Sequence, residues 1–290
     1  MTDTADVMSV ATGTRDGGGR ASEDRIVTAV PGAVVVLDGV STVSSAEPLG
    51  GWYAQTLGDH LAHGLLHTPH ADLPVVLETA IRAVAAEHGL RPGDSPAATV
   101  AIVRRHGTRI EALVLGDTPV LARTAGGEIH LVQDNRLAQL VAPRPETTEY
   151  RTWLRAGRGF QDPEHRALLQ KLRAHQLRHL NNDGSPSAYW VAEADPRAAH
   201  RAVTRSWPAD TVDSLLVMTD GVSAAVEEYG LLSWDALFDA CHVHGPQHVV
   251  EMVHAVEESD PQGVRWPRYK QHDDKAIAHV TCIPLPEPTA

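Results

Sequence analysis

Cysteine is close to absent from this chain: Cys241 and Cys282 are the only two among 290 residues. Two scattered thiols exclude a disulfide framework and fit a reducing compartment, so a cytoplasmic protein is the expectation. No apolar run approaches the length that crosses a bilayer. The opening residues, Met1-Thr2-Asp3-Thr4-Ala5-Asp6, lack the basic flank and apolar segment of a secretory leader. No membrane partner is therefore expected. A basic excess is missing too: the formal charge is −12, which excludes a general nucleic-acid binder. Internal repeats and low-complexity blocks are also lacking. What remains is a globular chain long enough to bury a sizeable core.

The charge that is present is uneven. Residues 144–205 carry eleven Lys/Arg against seven Asp/Glu, so a basic segment sits on an acidic body. Such a body suits cation binding, and the basic segment also reads as a solvated helical insertion.

Two stretches share one shape: Ala33-Val34-Val35-Val36-Leu37-Asp38-Gly39 and Leu215-Leu216-Val217-Met218-Thr219-Asp220-Gly221. Each is apolar without a period of two, as in a strand buried on both faces. Each ends in Asp-Gly, where glycine permits a tight turn or the close approach of a ligand.

Between and around them the periodicity predicts helices over 52–67 and 73–88, then strands at 97–104, 109–115, 119–124 and 128–133. Helical spacing returns over 147–180, with strands near 189–191 and at 214–219. Helices over 233–241 and 246–257 precede a last strand at 276–283. Helices arrive in pairs, which favours an α+β arrangement of antiparallel sheets under helix layers over a doubly wound parallel sheet. The expected organisation is a loose N-terminus (1–12), one domain (13–285) with a flap-like insertion at 144–205, and a tail (286–290).

Glu23/Asp24, Asp38, Asp117, Asp220 and Asp273/Asp274 all stand at strand ends or in adjoining loops. Carboxylates brought together repel and need a cation. Hard divalent ions such as Mg²⁺ or Mn²⁺ take oxygen ligands of this kind.

In order and spacing these residues resemble a family. Arg20-Ala21-Ser22-Glu23-Asp24 looks like its Arg…Glu-Asp opening, and Val36-Leu37-Asp38-Gly39 like its Asp-Gly strand. Ser95-Pro96-Ala97-Ala98-Thr99 with Leu115-Gly116-Asp117-Thr118 is similar to its Gly-Ser/Thr-Thr and Gly-Asp-Ser elements. Val217-Met218-Thr219-Asp220-Gly221 resembles its Ser/Thr-Asp-Gly motif, and Asp273-Asp274-Lys275-Ala276-Ile277 its closing Asp-Asn-x-Thr-Val. The family is the metal-dependent serine/threonine protein phosphatases of type 2C, in their bacterial form. The resemblance implies an α-β-β-α sandwich of two antiparallel sheets flanked by helix pairs, with two Mn²⁺ or Mg²⁺ ions at one edge. It implies hydrolysis of phosphoserine or phosphothreonine by direct attack of a metal-bridging water. The runners-up are a phosphatase of a small phosphorylated metabolite and a non-catalytic relative that binds a phosphorylated partner.

Residue by residue, the resemblance makes Asp38 the bridging ligand, with the Gly39 carbonyl on one metal. Asp220 and Asp273 complete a shell, Asp24 is an outer carboxylate, and Asp117 marks a third, weaker metal. Arg20 matches the arginine that grips the phosphate. The chain departs from the pattern in three places. One residue fewer separates Arg20 from Glu23, which makes Arg15 a rival. Val40-Ser41-Thr42 stands where the family has a Gly-Gly pair, often preceded by a histidine proposed as general acid. Asp274 replaces the usual Asn, so either Asp273 or Asp274 is the ligand. The basic segment falls at the family's variable flap. The paired histidines His63/His67 have metal-ligand spacing but read as surface residues, the group Cys241, His242, His244 and His248 is zinc-like in composition but weighs against a metal site, and His272 reads as structural.

Overall fold

The computed structural model describes residues 8–18, 21–40 and 49–282. Arg20 and residues 41–48 and 283–290, on which several expectations fall, lie outside them. Two five-stranded sheets are stacked face to face. In the first, β2 (Arg25–Val27), β3 (Ala33–Val40), β4 (Ala97–His106), β5 (Arg109–Leu115) and β8 (Val203–Pro208) run antiparallel in that order. In the second the order is β1 (Met8–Arg15), β10 (Lys275–Cys282), β9 (Val212–Met218), β6 (Val120–Thr124) and β7 (Ile129–Val132), again antiparallel.

The missing two-residue period of β3 and β9 now has its cause. Val34 and Val36 point into the layer between the sheets, while Val35 and Leu37 point the other way, under helices. Leu215 and Val217 meet them in the middle layer, and Leu216 and Met218 face helices on the far side. The helices beneath the first sheet are α1 (Leu49–His67) and α2 (Leu73–His88). Those on the second are α6 (Asp220–Glu227), α7 (Trp234–His244) and α8 (Pro246–Ser259). The α-β-β-α sandwich is as expected.

Several elements differ from expectation. Residues 8–12, expected to be loose, belong to β1, which pairs with β10 from Met8↔Cys282 to Arg15↔Lys275. The strand is polar on its outer face, so hydropathy does not mark it; Met8 and Val10 touch the middle layer. Residues 147–180 are not one helical stretch. Gly157 and Gly159, both at positive φ, separate α4 (Pro145–Arg155) from α5 (Pro163–Leu177), and α3 (Arg136–Val141) precedes them. These helices close a small core of their own around Tyr150, Leu154, Phe160, Leu168 and Leu172. Tyr189–Val191 makes only isolated bridges. The strand of this region is instead β8, paired with β5. Only Trp207 of β8 is buried.

Candidate metal centre

The strands bring their chemistry to one edge of the sandwich. Asp38 lies at the end of β3, opposite Thr99 of β4, and Asp220 opens α6 directly after β9. Asp24 precedes β2, Asp117 sits in the β5–β6 connection, and Asp273 stands two residues before β10. Asp117, Asp220 and Asp273 line one cavity of about 290 Å³.

Electrostatics tie the five together. Burial, opposed by a hydrogen bond from Thr219 and reinforced by Asp273 and Asp274, pushes Asp24 up to about 8. Burial likewise holds Asp38 well above the usual carboxylate range, with Asp24, Asp220 and Asp273 adding repulsion. Asp220 is raised by burial and then by Asp273 and Asp117. Burial also lifts Asp117 to about 6, helped by Asp134, Glu227 and Asp273. Each carboxylate is costly to ionise without a cation, and hard oxygen donors are what a Mg²⁺ or Mn²⁺ ion takes. The donor set therefore fits divalent metal. No three of these carboxylates have oxygens within 4.8 Å of one another among the described residues.

The motif residues that are not acidic are explained by packing. Thr219 Oγ1 donates to Asp24 Oδ2 at 2.8 Å and accepts from Ala276 N at 3.0 Å, so one hydroxyl joins the two sheets behind the site. A Cβ on Gly221 would stand 1.9 Å from the Asp274 carbonyl oxygen, and one on Gly39 would stand 2.5 Å from the Gly50 backbone. Gly50-Gly51 opens α1. A glycine pair therefore does follow Asp38-Gly39, further along the chain than the resemblance suggested.

Asp273 and Asp274 separate cleanly. Asp274 accepts from Gly17 N at 2.6 Å and Glu23 N at 2.8 Å, one bond to each carboxylate oxygen. Asp273 lines the cavity and accepts from Lys270 Nζ at 2.6 Å. Arg15 is ion-paired with Glu251 of α8 and is not among the residues lining the cavity.

Sequence reasoning missed Lys270, Arg151 of α4, and Glu227 and Glu228, all of which line the same cavity. Glu227 and Glu228 follow Asp220 by seven and eight positions, two helical turns, and that spacing was a signal. Lys270 and Arg151 had none, since a loop and α4 bring them there. Removal of water lowers the pKa of Lys270, but Asp273, Asp38 and Asp220 more than reverse that and raise it.

His254, Glu257 and His272 do bring ligand atoms within 4.8 Å of one another. Glu257 is already committed, however: Oε2 accepts from the buried Lys275 Nζ at 2.7 Å and Oε1 from Tyr229 at 3.0 Å. With His272 stacked on His254 at 4.5 Å, this is a buried ion-pair network that pins the 260–274 loop to α8. The His63 and His67 rings stack on each other at 4.0 Å, and Cys241 is buried in the core under α7.

A family model described as protein phosphatase 2C matches residues 18–255. Among solved structures, the chain is similar to the Mycobacterium tuberculosis serine/threonine phosphatase PstP/Ppp. The TM-score is 0.54 at 16% identity, over 94% of this chain and 98% of that one. It is similar to the PPM Ser-Thr phosphatase MsPP from Mycobacterium smegmatis in complex with cacodylate, with a TM-score of 0.55 and 21% identity over 94% and 97%. The catalytic domain of PstP in complex with two manganese ions gives 0.55 and 15% over 94% and 97%. No curated protein matches the sequence significantly.

Proposed function

The chain belongs to the protein phosphatase 2C family, and from that premise we propose that it is a Mn²⁺- or Mg²⁺-dependent phosphatase of phosphoserine and phosphothreonine monoesters. The observation that carries the reading is the convergence of Asp24, Asp38, Asp117, Asp220 and Asp273, in which burial and mutual repulsion raise the carboxyl groups. Asp38, the Gly39 carbonyl, Asp220 and Asp273 would hold the ions, with Asp24 behind them and Asp117 at a third position. Bound divalent ions would supply charge neutralisation and an activated water for attack on phosphorus. The PstP structure with two manganese ions supports this stoichiometry by analogy.

The protein's own residues do the positioning. Thr219 fixes the rotamer of Asp24 through its 2.8 Å hydrogen bond. Each oxygen of Asp274 accepts a backbone N–H, which favours Asp273, the one that lines the cavity, as the ligand. Arg20 is the family-matched phosphate ligand; the pairing of Arg15 with Glu251 argues against its rival.

Hydrolysis of an aryl phosphate, with and without Mn²⁺, tests the reading. Wild type should turn over only with metal. Asp38→Ala and Asp220→Ala should each lose at least about a thousandfold in kcat while remaining folded, the scale of losing a group that stabilises transition-state charge. A folded wild type that shows no metal-dependent turnover defeats the proposal.

A further inference from the structure

Five carboxylates carry more negative charge than two divalent ions cancel, and a phosphate monoester arrives as a dianion. A site of this composition needs cationic side chains besides the metals if the substrate is to enter. Three line the cavity among the described residues: Arg151, Arg268 and Lys270. Arg268 is buried and used up. Its Nε donates to Gln271 O, Nη1 to Trp266 O, and Nη2 to Glu257 O and Asp260 O.

The other two are differently placed. Lys270 has 56% of its side chain exposed and reaches Asp273 Oδ1 at 2.6 Å, so its ammonium stands beside a proposed metal ligand and still faces open space. An ammonium has three donors, and one bond to Asp273 leaves capacity for a second acceptor. Arg151 reaches the cavity from α4. Its Nε donates to Tyr150 Oη at 3.2 Å, which anchors the near side of the guanidinium. The two Nη groups form the edge that takes a phosphate in bidentate fashion.

We propose that Lys270 and Arg151 bind the phosphate dianion of the substrate, Lys270 next to the metal ligands and Arg151 from the flap. The inference rests on the proposed metal-dependent phosphatase site. It assigns the flap a direct contact with the phosphate and explains why a basic segment lies beside an acidic cluster.

Isothermal titration of inorganic phosphate into the Mn²⁺-loaded full chain tests it, with Mn²⁺ affinity measured separately and folding checked by thermal melts. Lys270→Gln and Arg151→Ala should each weaken phosphate binding about tenfold or more, as loss of a charge-assisted hydrogen bond does. Arg151→Lys should fall between Arg151→Ala and wild type. KM for an aryl phosphate should rise in parallel, with kcat changed less. Mn²⁺ affinity should be unchanged in the Arg151 variants and equal or tighter in Lys270→Gln, which removes a positive charge beside Asp273. Unchanged phosphate affinity in Lys270→Gln and Arg151→Ala overturns the inference, as does a wild type that binds Mn²⁺ but not phosphate. Wild type that binds Mn²⁺ and phosphate without turnover defeats the phosphatase reading instead, and the variants' phosphate affinities still decide this one.

Discussion

Each oxygen of the Asp274 carboxylate accepts a backbone hydrogen bond, from Gly17 and Glu23. Truncation leaves two partly buried N–H groups without partners, so Asp274→Ala should cost about 2–4 kcal/mol in urea unfolding. Asp273→Ala should cost less in urea than Asp274→Ala, since its carboxylate accepts only the neighbouring Asp274 N–H at 2.9 Å, and it should abolish Mn²⁺ binding, because that carboxylate lines the cavity. The equivalence of the two in sequence is broken only by three-dimensional neighbours some 250 positions away, which no local pattern carries. Glu228 offers a second residue-scale test. Burial raises its carboxyl from 4.5 to about 7, with Arg151 partly opposing. Between those values the folded state keeps a proton that the unfolded chain has released, so stability falls as pH rises through this window. Glu228→Gln removes the effect. It should be more stable than wild type at pH 8, by well under what the full shift would give, because Glu228 is exposed and solvent screens its charge. At pH 4 the two should be nearly equal, and thermal melts across that range decide it.

The segment of α4 and α5, proposed above as the flap, has its own small core, Tyr150, Leu154, Phe160, Leu168 and Leu172, packed against Tyr269. It meets the sandwich through Tyr269 of the 260–274 loop and through α3, whose Leu140 and Val141 pack with Ala97 of β4. Leu168 is 2% exposed, and Leu168→Ala should remove about 2–3 kcal/mol. The loss should be local: amide exchange should quicken over 145–177 while β4 stays protected. If Arg151 is held by this packing, KM should rise too. The elements that the sequence made legible are the ones whose burial is extreme or whose period is clean. β3 and β9 read as strands because both faces are covered, and α2 was bounded correctly by Pro74 near its start and the left-handed Gly89 at its end. β1 and β8 were not legible, since each is an edge strand with polar outer positions and gains its place from a partner far along the chain. The same holds for the site. Asp38 and Asp220 announce themselves at the ends of apolar runs, whereas Lys270 and Arg151 depend on where a loop and the flap come to rest.

At the scale of the molecule, the carboxylates come from both halves of the sandwich. Asp24 and Asp38 belong to the first sheet, Asp220 and Asp273 to the second, and Asp117 to the connection that crosses between them. Repulsion among them therefore opposes the stacking of the two sheets, and divalent ions would hold the halves together. Metal that binds the folded chain alone stabilises it by about 2.7 kcal/mol at a free concentration one hundred times Kd. For a chain of this size that corresponds to a rise in Tm of roughly 4–5 °C. Mn²⁺ should produce such a rise at pH 8, and a chelator should reverse it. The rise should shrink at pH 5, because Asp24, titrating near 8, and the raised Asp38 and Asp220 then hold protons that the metal has to displace. Asp38→Ala should melt with little dependence on Mn²⁺ at either pH. In the absence of metal it should melt at or above wild type at pH 8, since one member of the repelling set is gone. A wild-type Tm indifferent to Mn²⁺ at pH 8 would show that the carboxylates are not a metal-bridged joint between the sheets.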